Sequence, residues 1–343
     1  MPTFAADQLQ NIATCIFVAA GAPEATARRV SASLVLCNLM GVDSHGVIRI
    51  PQYLEGIRSG TIDPHAHVEI VKDNGVAVVL DGHNAFGQVA AEQAMRAAIE
   101  RARRNAVGAA SLFHVSHIGR LGEWAEMAAD AGMFGWVLAS GTRPGGLVAP
   151  YGSRQRVLGT NPLSYAVPSA RGPAMVADFA TSMVAEGKVR SAQQQGQAIP
   201  SEWAVDNVGR PTSDPGAFYN GGALQTFGGH KGYALSLMVE VLGGILSGGG
   251  NPCSPKYTHL QNGTFMLALD VGFFCRPEEY EDALQVLCAA VKGAAPADGF
   301  SEVLLPGEIE GRRKAERERG GIPVPEGVWN EICAAARQVG VEL

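Results

Sequence analysis

The run VEIVKDNGVAVVL, residues 68–80, narrows the folds open to this chain more than any other. Two β-rich segments flank Asn74 and Gly75, and an Asn-Gly pair tolerates the positive backbone angles that a tight reversal needs. The two strands are therefore expected to pair antiparallel. With the mixed order of elements that follows, this hairpin argues for an α+β class over simple alternation of strand, crossover helix and parallel strand.

Helical periodicity predicts two opening helices, at 6–20 and 23–39, separated by Gly21 and Pro23. Further helices are expected near 90–105, 119–131, 231–247, 278–291 and 325–339. Strand-like runs read VGAASLFH, FGWVLAS, PLSYAVP, AMVADFA and TFMLALDV. The 343 residues show no internal repeat, low-complexity tract or long linker. Their length suggests about two domains.

A formal charge of −6 repels a phosphate backbone, so no nucleic-acid partner is expected. The densest basic run, GRRKAERER at 311–319, alternates with glutamates and reads as a solvated helix face. Cys15, Cys37, Cys253, Cys275, Cys288 and Cys333 form no CxxC pair, and most lie in apolar runs. That usage suits a reducing compartment and a cytoplasmic protein. MPTFAADQLQ lacks the basic and apolar regions of a secretory signal. YALSLMVEVLGGILSGGG is broken by Glu240 and paired glycines and is too short to span a bilayer, so no membrane partner is expected.

Common chemical motifs are missing. There is no GxGxxG and no GxxxxGK[ST]; GGGNPC fails at the third glycine. GVDSHG, 41–46, has one residue too many for GxSxG, and its flanks read helix-loop. Adjacent side chains diverge, so Asp43, Ser44 and His45 cannot form a triad, which argues against a serine hydrolase. His65 with His67 and His114 with His117 supply two ligands apiece where a metal site needs three or four, and no metal is expected.

What remains is a series of polar islands: DSHGVIRIPQY, HVSHIGRLGEWAE, LGTNP, DFATSMVAEGKVR, FGGHKGY and LLPGE. In a helix starting near Gly46, His45, Arg49 and Tyr53 would share one face. An arginine so placed suits a carboxylate, because its fork binds both oxygens. The competing interpretation is an internal salt bridge with a helix cap from Ser44. HIGRLGEWAE reads as a strand end turning through Gly119 into a helix N-terminus, a setting that attracts phosphate. FGGHKGY repeats the arrangement beside a lysine.

In this order the islands closely resemble the type 2 malate/L-lactate dehydrogenase family, which also includes sulfolactate and ureidoglycolate dehydrogenases and the piperideine- and pyrroline-2-carboxylate reductases. The resemblance runs from about residue 4 to about residue 325. It implies a non-Rossmann α+β fold, with a largely antiparallel cofactor-binding sheet plus a helical domain, assembled as a homodimer. The helical domain would comprise 1–70 with part of 115–155 and 305–343. The NAD(P)-binding domain would comprise 71–114 and 156–304.

Residue by residue, the resemblance puts His45 on the family's motif histidine, Ser44 beside it, and Arg49 on the carboxylate-holding position. His117, Ile118, Gly119, Arg120 and Leu121 match the stretch along the nicotinamide cofactor, with His117 as acid/base. Thr160, Glu186 and Gly187 fall where substrate contacts are made, and Asp270 is a further substrate-side candidate, as is Tyr53 from the shared face. Asp178, Phe179, Ala180, His230, Lys231, Pro306, Gly307 and Glu308 fall where NAD or NADP is held. The imine reductases carry an acidic residue where this chain has Lys188, which favours a 2-hydroxy acid over a cyclic imine and gives Lys188 an electrostatic role. The resemblance thus implies an NAD(P)-dependent 2-hydroxy acid dehydrogenase for malate, lactate or sulfolactate, with His117 as acid/base and His45 orienting the same oxygen. The alternatives are an NADPH-dependent cyclic imine reductase and a non-catalytic, ligand-binding descendant of the fold.

Overall fold

The computed structural model describes residues 1–142, 144–256 and 261–343. β1 (Thr3–Phe4), α1 (Ala6–Ala19) and α2 (Glu24–Leu39) open the chain. Two 3-10 turns, Asp43–His45 and Val47–Arg49, lead into α3 (Ile50–Ser59). The hairpin follows as β2 (Glu69–Asp73) and β3 (Ala77–Ala85), then α4 (Gly87–Asn105), β4 (Val107–Val115), α5 (Leu121–Asp130) and β5 (Met133–Gly141). β6 (Leu163–Val167) and β7 (Met175–Phe179) precede α6 (Glu186–Gln194) and a small module of β8 (Ala204–Val205), β9 (Pro211–Thr212), α7 (Pro215–Tyr219) and β10 (Ala223–Leu224). α8 (His230–Val239) continues into a π-helical stretch, Glu240–Leu246. β11 (Asn262–Asp270), α9 (Val271–Phe274), α10 (Pro277–Lys292), α11 (Glu308–Gly320), β12 (Ile322–Pro323) and α12 (Glu326–Gln338) complete the chain.

Seven strands form the main sheet in the order β2-β3-β4-β11-β5-β6-β7. The Asn74-Gly75 hairpin pairs antiparallel as its sequence predicts, with Ile70 opposite Leu80. β3 and β4 run parallel, and the other neighbouring pairs are antiparallel. β11 lies between β4 and β5, with Asn262 opposite both Val115 and Gly141 and Asp270 opposite Met133. The last residues of β4, β5 and β7 and the first of β6 and β11 therefore gather at one end of the sheet.

α4 and α5 cover one face. Ala90, Ala91, Ala94, Ala98 and Ala102 are buried along α4, and their small side chains let the helix lie close on the strands. At Gly108 a Cβ would come within 1.9 Å of the Ala98 carbonyl oxygen, so this spacing is available only to glycine. Met95, Leu112 and Trp124 fill the layer between helices and sheet. Each side chain of this size stabilises by about 1.5–3 kcal/mol when fully buried. Of the stretch 115–155, α5 and β5 join this core.

A second cluster packs α1, α2, α3 and α12 through Leu9, Phe17, Leu34, Ile50, Tyr53 and Ile332. Phe86, one residue before α4, belongs to it and meets Phe17 edge-on at 5.6 Å. A third cluster, around Val148, Val189, Phe218 and Leu224, supports the small module. No helix of the described residues is long and apolar enough to cross a membrane.

The start of α4 is pinned to the loop after β4. Gly87 donates its N–H to Ser116 Oγ at 2.9 Å, and a Cβ there would stand 2.2 Å from the His117 carbonyl oxygen. Backbone cannot yield as a flexible side chain would. Gly87→Ala is therefore expected to destabilise by about 1–3 kcal/mol, as overpacking does. A lowered denaturation midpoint checks this, whereas an unchanged one means that the two backbones separate freely.

Candidate active site

The site begins where α2 ends. A continuous helix from Gly46 does not form: Gly46 is extended (φ −86, ψ −152) between the two 3-10 turns, and α3 starts only at Ile50, with Pro51 in its first turn. The cause lies under the turn, where Asn38 Oδ1 accepts from Val47 N at 2.8 Å and Nδ2 donates to Asp43 Oδ1 at 2.7 Å. A Cβ on residue 46 would stand 2.2 Å from Asn38 Oδ1. His45, Arg49 and Tyr53 still converge, but through turn geometry. Arg317 of α11 clamps the same turn, donating to Asp43 Oδ1 at 2.7 Å and Oδ2 at 3.1 Å. Ser44 caps no helix; its Oγ lies 3.0 Å from His45 Nδ1.

His117 arrives from the sheet. It follows β4 at the gathered end, and Gly119 (φ +80) then turns the chain into α5, as the spacing predicts. The loop is held by Ile118 N donating to Asn262 Oδ1 and by Trp124 Nε1 donating to the Ile118 carbonyl, both at 3.1 Å. The His117 ring stacks on His45 with centroids 5.2 Å apart and planes 28° apart.

Tyr53 was expected to line the substrate pocket, and here the structure differs. Its ring is 1% exposed, and its hydroxyl lies 2.8 Å from His117 Nδ1, so Tyr53 acts on the imidazole from behind. Arg49 donates from Nε to the Ser44 carbonyl and from Nη1 to Gln52 Oε1, both at 2.7 Å. Around the stacked imidazoles, Nε2 of His45, Nε2 of His117 and Nη2 of Arg49 have no hydrogen-bond partner among the described residues. All three residues are half-buried.

The cleft keeps both imidazoles neutral at pH 7. Burial pushes the His45 pKa down to about 4, aided by the Arg49 and Arg120 guanidiniums. Burial also holds His117 well below the ordinary histidine range, with Arg49 and then His45 adding to it. Both effects disfavour the charged form.

Other predicted positions lie around the same end of the sheet. The Thr160 carbonyl accepts from Thr181 N at 3.0 Å, and the Thr181 carbonyl accepts from Phe227 N at 3.1 Å, which links LGTNP, DFATS and FGGHKGY. Phe179 meets Phe227 edge-on at 5.8 Å, and Ala180 lies between them and Thr181. Asp178 Oδ2 accepts from Gly122 N at 2.6 Å at the start of α5, close to Leu121. Buried Arg120 pairs with Glu126 at 2.5 Å. The Pro306 carbonyl accepts from Val176 N at 2.9 Å, which lays Pro306 and Gly307 along β7. Glu308 is engaged by Lys292 Nζ at 2.7 Å. Glu186 accepts from Arg190 and from the Tyr219 hydroxyl, both at 2.7 Å, while Gly187 and Lys188 are exposed in the first turn of α6.

Asp270 is not brought to the cleft. Because β11 runs antiparallel to β4, Asp270 sits at the opposite end from Asn262, roughly 26 Å away at about 3.3 Å per residue. There its Oδ1 accepts from Gly272 N and caps α9. A dinucleotide suits the gathered end instead. Gly228 and Gly229 (φ +57 and +61) precede α8, Gly228 has open space where a Cβ would stand, and Lys231 and His230 are exposed beside them. Backbone donors next to a cation at a helix start match a diphosphate.

Three contributors escaped sequence reasoning: Gln88 behind Tyr53, Asn262 behind Ile118, and Arg317 behind Asp43. Each acts across more than thirty residues of chain. Gln88, one of two glutamines in an alanine-rich helix, carries no local signal.

Comparison with known proteins shows the family. The family described as malate/L-lactate dehydrogenase matches residues 4–333. A malate dehydrogenase of Pyrococcus abyssi is 36% identical over 98% of this chain and 94% of its own length. The structure of sulfolactate dehydrogenase from Methanocaldococcus jannaschii superposes with a TM-score of 0.90 at 31% identity, covering 99% of this chain and 98% of that one. The structure of Δ1-piperideine-2-carboxylate reductase from Pseudomonas syringae pvar. tomato gives a TM-score of 0.84 at 29% identity, over 98% and 100% of the two chains.

Proposed function

Because the chain belongs to the malate/L-lactate dehydrogenase family, we propose that it interconverts a small 2-hydroxy acid and its 2-oxo acid, of malate, lactate or sulfolactate type, with NAD or NADP. The carrying observation is a trio of groups unpartnered among the described residues, two imidazole nitrogens and one guanidinium edge, in one half-buried cleft. Polar groups left so close to a core are costly unless a ligand satisfies them.

In this reading Arg49 binds the substrate carboxylate through Nη2, and the turn that holds Nε and Nη1 orients the guanidinium. Fixing the carboxylate fixes C2 and removes part of the entropic barrier. The imidazoles of His45 and His117 face the C2 oxygen, one to exchange its proton and one to polarise it. Lys188 adds positive charge at the rim, and Thr160 and Gly187 complete the substrate side. NAD or NADP, when bound, accepts the hydride released from C2 and returns it in the reverse reaction. His117 to Leu121, Asp178 to Ala180, His230, Lys231 and Pro306 to Glu308 would hold the dinucleotide.

Arg49 also ties binding to acidity. It is the second cause, after burial, of the low pKa at His117 and at His45. A bound carboxylate offsets that charge and moves both imidazoles up toward working pH.

The same proposal includes a homodimer in the cytoplasm and the division into helical and cofactor domains. Exposed Phe273, Phe274 and Phe300 offer apolar surface for association, and the six cysteines are free.

A cyclic imine reductase is the second reading, favoured by the likeness to the piperideine-2-carboxylate reductase. Lys188, where those enzymes carry an acid, weighs against it. A spectrophotometric screen with both reduced cofactors, against 2-oxo acids and cyclic imines, tests the proposal. Turnover of a 2-oxo acid is the expected result. Turnover of imines alone selects the second reading, and binding without turnover of either class selects a non-catalytic descendant of the fold.

A further inference from the structure

The two histidines do not have equivalent surroundings. Behind His117 lies a buried chain: Gln88 Nε2 donates to the Tyr53 hydroxyl oxygen at 2.7 Å, and that hydroxyl lies 2.8 Å from His117 Nδ1. Gln88 is fully buried and Tyr53 is 1% exposed, so water does not compete with either bond.

The amide orientation decides the direction of the chain. As placed, Gln88 leaves one acceptor, Oε1, without a partner. The reverse orientation would aim two N–H donors at the same unpairing surroundings, at a higher cost, since an amide nitrogen carries two donors. Gln88 therefore donates. The Tyr53 oxygen then accepts, and its single proton is directed at His117 Nδ1. A nitrogen that accepts carries no proton, so neutral His117 holds its proton on Nε2, the nitrogen that faces the cleft.

We infer that Gln88 and Tyr53 are positioning residues that lock His117 as the Nε2–H tautomer, so that it donates a hydrogen bond to the substrate's C2 oxygen instead of taking its proton. This rests on the proposed 2-hydroxy acid reaction. His45 is left to exchange the proton. Among the described residues its Nδ1 meets the Ser44 hydroxyl alone, which rotates to donate or accept, so Nε2 can carry either a lone pair or a proton. In oxidation the C2 O–H bond breaks, its proton goes to His45 Nε2, and the C2–H electron pair leaves as the hydride of the overall reaction.

The proposal is consistent with the charge around His117. Arg49 and His45 oppose a second proton on that ring, and burial holds Tyr53 in its neutral, donating form. Arg49 lowers His45 as well, so it is the buried Tyr53 hydrogen bond on Nδ1 that distinguishes the two rings.

The test is the tautomer itself, read on the full-length protein with 15N-labelled histidine by long-range proton–nitrogen correlation at pH 7.5. His117→Gln identifies the His117 signals by their loss. Wild type is expected to show Nε2 as the protonated nitrogen and Nδ1 as the bare one. Gln88→Leu keeps the bulk and deletes the donor, frees the Tyr53 oxygen to accept from His117 Nδ1–H as well as to donate, and is expected to give a mixture of both tautomers. It should also lower kcat about fivefold, the worth of one hydrogen bond near 1 kcal/mol, with KM unchanged. A wild-type His117 protonated on Nδ1 overturns the proposal, as does a Gln88→Leu protein that keeps a pure Nε2–H form. The wild-type measurement stands alone if the variant does not fold. No substrate is needed, so the two readings fail separately. An inactive protein with the Nε2–H form sinks only the proposed reaction, and an active one with the Nδ1–H form sinks only this assignment.

Discussion

His45→Gln is expected to lower kcat/KM for the hydroxy acid about 10²- to 10⁴-fold, the usual contribution of a positioned acid/base. The glutamine keeps polarity near the C2 oxygen but cannot take a proton at working pH. KM should change little, because Arg49, the proposed carboxylate ligand, is left in place. The pH profile gives the sharper signature. In the free protein His45 is pushed down to about 4, so kcat/KM for oxidation holds until the pH falls toward that value. With a carboxylate on Arg49 the imidazole rises, and the acidic limb of kcat should lie at higher pH than that of kcat/KM. Both limbs should vanish in the variant. Wild-type turnover in His45→Gln would move the base elsewhere.

Arg49→Ala is expected to raise KM for the acid about 10- to 100-fold, the loss of charged hydrogen bonds worth roughly 1.5–3 kcal/mol. Cofactor affinity should hold, since no dinucleotide-side residue hydrogen-bonds Arg49 among the described residues. Arg49→Lys should recover only part of the loss, because a point charge cannot reproduce the fork. The neighbouring imidazoles provide a second readout. Arg49 depresses both, so its removal should raise their pKa values in the free protein. Collapse of cofactor affinity with KM unchanged would place the carboxylate elsewhere.

Local patterns carried much of this structure. The Asn74-Gly75 hairpin, the helices of the first forty residues and the Gly119 turn into α5 follow from periodicity and turn chemistry over a few residues. The polar islands likewise mark His45, Arg49 and His117. What escaped depends on distant pairing. Gly46 breaks the expected helix because Asn38 occupies the space under it, and Asp270 falls at the wrong end because β11 runs against β4. α6 and the small module lacked a clear repeat of apolar residues and were not anticipated. Gln88 is legible only once α4 has docked on the loop after β4.

The placement of β11 bears on how the chain is made. β4 and β5 are complete once residue 141 has been synthesised, yet the strand that joins them begins at Asn262. Until that segment leaves the ribosome, each holds an unpaired edge, the kind of surface that recruits other strands and promotes aggregation. The loop that carries His117 shares the delay, because Ile118 waits on Asn262 for its hydrogen bond. Nascent chains stalled before residue 262 should therefore be the ones that chaperones must shelter.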